Sequence, residues 1–182
     1  MLLVSVLLFS ATGCSSGSSK GIPESEDELP DMIMNNAVYS FGDSGRNPVV
    51  MTAAEIKIYR GHNPRTLLSD ISFVQYGEDE TGKTVEELSG HCDSATVTDK
   101  NTKAKLTGNV WLTKRSDNFT IDCSVLTWND DKQEINSDGN VHVLYEDSME
   151  INAKGFNAKL DENIYEFGKI ENGRFTDDEN EN

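Results

Sequence analysis

The sequence predicts an all-β domain assembled from stacked repeats, and three observations lead there. From Pro30 to Phe175 there is no sustained 3.6-residue periodicity; instead, short β-rich runs are punctuated by Asp, Asn and Gly. Shifted against itself by 31 residues, the chain places Gly108-Asn109-Val110 on Gly139-Asn140-Val141, with Thr96 on Thr127, Asp99 on Asp130 and Cys92 on Cys123. Hydrophobic residues make up 36% and aromatics 8% of the 182 residues, a lean interior that suits a thin two-sheet structure.

Taken in order, Met1 to Phe9 form an apolar run of signal-peptide length, followed by Ser10-Ala11-Thr12-Gly13-Cys14. Small residues before Cys14 and a Ser/Gly-rich stretch after it resemble a bacterial lipobox, in which the thiol is acylated and the leader removed. The alternative is a short apolar tail with an incidental Cys. The cationic n-region is missing, since the first Lys or Arg is Lys20, and a start codon placed too far downstream explains that. Residues 1–14 are therefore expected to be a lipoprotein leader and 15–29 a flexible, acidic tether. Residues 30–175 form the domain, and 176–182 a disordered acidic tail.

Within the domain, strands are expected at Val49-Val50-Met51-Thr52, Ala54 to Tyr59, Ile71 to Tyr76, Val110 to Thr113, Phe119 to Cys123 and Val141 to Tyr145. Each copy reads strand, Asp-centred turn, strand, Gly-Asn corner, strand. A third copy continues through Asp161 and Gly168-Lys169-Ile170, and an earlier, longer one carries an extra hairpin around Glu78 to Lys83. Such units cannot bury an apolar face alone, so they must stack.

Charge excludes one class of function. With 16 Lys plus Arg against 32 Asp plus Glu and a net charge of -16, the chain lacks the cationic surface that non-specific nucleic-acid binding requires. No apolar run reaches the roughly 18 residues of a membrane span. Catalysis finds no constellation: His62, His91 and His142 are scattered, Gly-x-Ser-x-Gly is absent, and Gly42-Asp43-Ser44-Gly45 reads as a hairpin turn. No enzyme activity, metal or cofactor is expected. The matched Cys92 and Cys123 are either a disulfide between nearby strands of an exported domain or two buried free thiols in different layers. Lys100, Lys103 and Lys105 fall on Asp131, Glu134 and Asn136 at the same offset, suggesting a cross-strand charge ladder.

The segment Ala104-Lys105-Leu106-Thr107-Gly108-Asn109-Val110, followed by Ile121-Asp122-Cys123 and Leu126-Thr127-Trp128-Asn129, resembles the LptC family. Pro30-Asp31-Met32, Ala53-Ala54-Glu55 and Ile151-Asn152-Ala153-Lys154-Gly155-Phe156 agree with it in order and spacing. The same repeat occurs in the sister proteins LptA and LptD. The resemblance implies an open, twisted β-jellyroll of two antiparallel sheets around an apolar groove. It also implies a periplasmic role in lipopolysaccharide export. Lipopolysaccharide or a related glycolipid would arrive from an inner-membrane ABC transporter and pass to an LptA-like bridge joined strand edge to strand edge. Family members hold themselves in the membrane by a helix; here a lipid on Cys14 would do so, in the inner membrane. The candidate groove residues are Val110, Leu112, Ile121, Leu126, Trp128, Val141, Val143, Phe156 and Ala158, as core, lipid contact or both, with a bulge expected near Val125-Leu126. The acidic net charge argues that the glycolipid's phosphates stay in solvent. The rival functions are a surface or periplasmic β-repeat lipoprotein with a structural or adhesive role and no cargo, and an acidic calcium module, which lacks the Asp-x-Asp-x-Asp-Gly loop.

Overall fold

The computed structural model describes residues 29–42, 47–146 and 148–175. Cys14 with its leader, the tether up to residue 28, most of the turn that begins at Gly42, and the tail from residue 176 lie outside the described residues.

Nine strands follow in chain order: β1 Met32–Phe41, β2 Val49–Tyr59, β3 Arg65–Glu78, β4 Thr84–Thr98, β5 Lys103–Lys114, β6 Phe119–Asn129, β7 Glu134–Tyr145, β8 Met149–Lys159 and β9 Ile164–Phe175. Each pairs antiparallel with the next, in the order β1 to β9, and hydrogen bonding runs through all nine as one ladder. The sheet is open, with β1 and β9 as its edges.

The two expected sheets are thus the two halves of every strand. A line of irregular backbone crosses the middle of the ladder. It carries left-handed residues at Asn36, Asp70, Gly108, Asn109 and Gly155, and register shifts between His91 and Ser94, Thr107 and Val110, Cys123 and Thr127, and Ser137 and Asn140. An extra residue flips the inward parity. In β6 the buried positions are Phe119 and Ile121 before the shift, then Leu126 and Trp128 after it. In β8 they change from Ile151 and Ala153 to Phe156 and Ala158 across Gly155. This crease folds the sheet over so that both halves turn their apolar sides to one core. At Gly108, φ is +74° and an added Cβ would lie 2.3 Å from the Asp93 carboxylate, so glycine is required there. Asn109 Nδ2 donates to both oxygens of that same carboxylate, at 3.1 and 2.9 Å.

Aromatic pairs show which halves face each other. Phe41 at the end of β1 and Phe73 on β3 lie edge-on to Trp128 of β6, at 5.6 and 6.2 Å between centroids. Phe119 at the start of β6 stacks on Phe156 of β8 and Tyr165 of β9, at 5.7 and 4.6 Å. The layers are therefore staggered by several strands.

Opposite the crease, the hairpin turns form two rims. Along one, Asp130 N donates to Thr102 O and Leu160 N to Gln133 O, both at 2.8 Å; along the other, Arg115 N donates to Glu87 O and Glu146 N to Asn118 O. The Asp-centred turn anticipated at Asp130 is there, with Gln133 Nε2 donating to Asp130 O and Oδ1. One 31-residue repeat is one hairpin, two strands wide, so equivalent positions lie on second-neighbour strands roughly 10 Å apart. That distance separates Lys103 on β5 from Glu134 on β7, with Asn129 of β6 between them, so the matched charges lie on second-neighbour strands.

Candidate functional site

The interior between the layers is the candidate site, and its centre is apolar, with polar groups gathered toward the rims. Val110, Leu112, Ile121, Leu126, Trp128, Val141, Val143, Phe156 and Ala158 are all buried members of one core cluster. Trp128 fills the middle, wedged against Phe41 and Phe73, and its indole Nε1 is buried without an acceptor.

Open space lies at the two ends. Toward β9, a cavity of about 300 Å³ is lined by Phe119, Val143, Tyr145, Met149, Asn163, Tyr165 and Phe167. Val143 is the one member of the sequence-derived set on its wall. Toward β1, a cavity of about 230 Å³ is lined by Tyr39, Tyr59, Pro64, Arg65, Thr66, Val97, Thr98, Lys100 and Asn101. The edge strands continue the apolar surface outward. Met32 pairs with Ile58, and Ile170 with buried Ala153, yet they are 42% and 54% exposed, because no opposing layer covers them.

The rims are joined across the interior at two places. Near β1, Gly42 N donates to Asn101 O and Asn101 Nδ2 to Ser40 O, at 3.0 and 2.8 Å. Near β9, buried Lys114 donates from Nζ to both oxygens of Asp117 at 3.0 Å, to Leu160 O at 3.0 Å and to Asn163 Oδ1 at 2.5 Å. Tyr165 OH and Ser116 Oγ also donate to Asp117. Burial pushes the Asp117 carboxyl up, but the hydrogen bonds from Ser116, Tyr165 and Lys114 together with the lysine charge outweigh it and hold it below its ordinary value. Burial and the adjoining carboxylate raise the Tyr165 phenol, which stays a neutral donor. This network was absent from the sequence candidates. Its one signal is parity, since Lys114 continues the inward series Val110, Leu112.

Cys92 and Cys123 are free thiols, on β4 and β6 with β5 between them, a separation wider than the roughly 4.4–6.8 Å a disulfide spans. Their equivalence has another physical reason. Each stands just before the crease and donates from Sγ to the carbonyl two residues on, Cys92 to Ser94 O and Cys123 to Val125 O, both at 3.4 Å. Burial pushes their thiols up to about 12 and about 11, so neither is a thiolate at neutral pH.

The family model "Lipopolysaccharide-assembly, LptC-related" matches residues 1–169. The chain belongs to the LptC family. Membership supports a role in lipopolysaccharide transport. Among solved structures it is similar to LptH of Pseudomonas aeruginosa, described as the LptA-homologous periplasmic component of the lipopolysaccharide transport device. The TM-score is 0.55 at 10% identity, covering 70% of this chain and 87% of that one. At that identity the likeness establishes a shared LptA-like jellyroll fold. No curated protein sequence matches the chain.

Proposed function

We propose that this LptC-family domain carries a lipopolysaccharide-type glycolipid through the periplasm, with its acyl chains between the two layers. A lipid on Cys14 holds the domain at the inner membrane. The β1 edge takes cargo from an ABC transporter complex, and the β9 edge hands it to an LptA-like bridge protein. The observation that carries this reading is an apolar interior that emerges at both unpaired sheet edges, with Met32 and Ile170 as lips. An acyl chain entering it exchanges water for non-directional contact, which retains a lipid without fixing it in place. The β9 cavity, at about 300 Å³, is at the small end of ligand sites, and the centre is filled by Trp128 and its neighbours. Passage therefore needs side chains to move aside. Both edges offer free main-chain donors and acceptors to a partner strand, so an added strand prolongs the interior.

A photocrosslinking residue replacing Val143 is expected to label lipid A when the purified protein meets it, one replacing Ile121 to label less, and one at Lys103 not at all. Equal labelling at all three positions defeats the proposal. Charge at Val141, as in Val141→Arg, is expected to weaken capture far more than a charge change at Asp177.

A further inference from the structure

The cavity at the β9 end has a polar margin, and one residue there offers a hydrogen bond that the fold does not use. Asn163 stands in the turn just before β9, at φ 53°, a left-handed conformation that asparagine tolerates. Its Oδ1 accepts from the buried Lys114 ammonium at 2.5 Å. An ammonium donates and cannot accept, so this contact fixes which end of the amide faces the lysine. The group left over is Nδ2, a double donor that meets no acceptor among the described residues. Asn163 is exposed and borders the cavity, so a ligand reaches it without displacing the wall.

The placing of the other wall residues gives the cavity a direction. Asn163 and Tyr145 stand at the rims, whereas Val143 and Phe167 lie further along β7 and β9, toward the crease. Phe167 pairs with Phe156, next to the left-handed Gly155. A hydrocarbon chain lying in this space therefore meets a donor at its rim end and apolar side chains along its length. The matching group is an acceptor joined directly to the hydrocarbon. A phosphate matches less well, because the Lys114 charge behind Asn163 is already paired with Asp117 at 3.0 Å and the margin presents a neutral donor. At about 300 Å³ the space suits one chain, not the several of a whole glycolipid.

We infer that the β9-end cavity is a binding site for a single fatty acyl chain, its ester or amide carbonyl accepting from Asn163 Nδ2 at the rim and its hydrocarbon running past Val143 and Phe167 toward the crease. Lys114 is a positioning residue here, holding the amide so that its donor faces outward. The inference rests on the transport reading for the source of the chain and adds which part of the lipid is recognised: the acyl linkage itself, not the headgroup. One neutral hydrogen bond is worth roughly a factor of five in affinity, enough to orient a chain and little enough to let it leave.

Binding to the full chain is measured for three amphiphiles with the same tail: N-decanoylglucosamine, a decanoyl ester of glucose, and decyl glucoside, which has no carbonyl. The two carbonyl compounds are expected to bind about fivefold more tightly than the glucoside. Asn163→Asp keeps an oxygen for Lys114 and tolerates the left-handed turn but loses the donor; it should abolish that preference while leaving glucoside binding unchanged, and Asn163→Gly should do the same. Asn140→Asp, the same change away from the cavity, should leave the preference intact. Met149→Trp, which fills the cavity, should weaken all three ligands. Equal binding of carbonyl compounds and glucoside, or a preference that survives both Asn163 variants, overturns the carbonyl contact; undiminished binding in Met149→Trp overturns its location. A preference shown by only one carbonyl compound upholds the contact and identifies the linkage. If lipid A crosslinks at Val143 while the carbonyl makes no difference, the transport reading stands and the acyl-linkage site falls. If the decanoyl compounds bind in an Asn163-dependent way while lipid A does not crosslink, the site stands and the transport reading falls.

Discussion

At the β9 end the two layers meet through stacked rings, Phe119 on Tyr165 and Phe156, and through the buried Lys114–Asp117 pair. At the β1 end they meet through Phe41 and Phe73, edge-on to Trp128, and through two hydrogen bonds made by Asn101, beside a cavity that Arg65 and Lys100 line. Both ends share buried ring contacts; the β9 end adds a buried ion pair, the β1 end a hydrogen bond near the surface. The same hairpin unit therefore yields a terminus with a buried ion pair and one without, and substitutions should separate the two.

The largest effect is expected for Phe119→Ala, which empties the centre of the stacked cluster and should cost about 3–5 kcal/mol in urea unfolding. Close behind, Lys114→Met leaves the Asp117 carboxylate buried without its cation and should cost about 3 kcal/mol, whereas replacing both members by apolar residues should recover most of that. Acid provides a milder test of the same contact. Because the folded Asp117 carboxyl lies below its ordinary value, its contribution is complete above about pH 4 and is lost as pH falls through the folded value, so the wild type should weaken in that window relative to Asp117→Asn. The smallest stability change belongs to the other end: Tyr59→Leu removes a cation–π contact at a surface cavity and should cost under about 1 kcal/mol. If Tyr59→Leu destabilises as much as Phe119→Ala, the contrast between the ends is wrong. Independently of that comparison, Cys92 should resist thiol reagents at pH 8 until the protein unfolds, since burial raises its thiol to about 12.

Much of this architecture was legible in the residues. Alternation located the strands, the 31-residue offset located the hairpins, and the adjacent apolar pair Val125-Leu126 announced the parity change at the crease. The offset misled where contact was inferred from equivalence. Cys92 and Cys123 are alike because both thiols satisfy a carbonyl beside the crease, and likeness across a two-stranded unit places residues two strands apart. The groove candidates came from inward parity and reached the core, but parity does not say where the core stops. Which of them borders a cavity depends on the stagger of the layers, a long-range property that puts Val143, itself buried, on the β9-end wall and leaves Ile121 off it. Tyr165 and Phe167 were missed because the third copy is degenerate, and the β1-end cavity because its walls come from four strands and the turns between them.

Since one hairpin supplies a segment to each layer, the domain grows or shrinks in whole hairpins. Duplicating a unit would lengthen the conduit by two strand spacings, about 10 Å, while keeping the fold line in register and the direction of both terminal strands unchanged. Loss of a single strand would instead reverse the polarity of one end and misalign whatever docks there. The length of the interior is in this way adjustable in discrete increments, with the direction of both edge strands preserved.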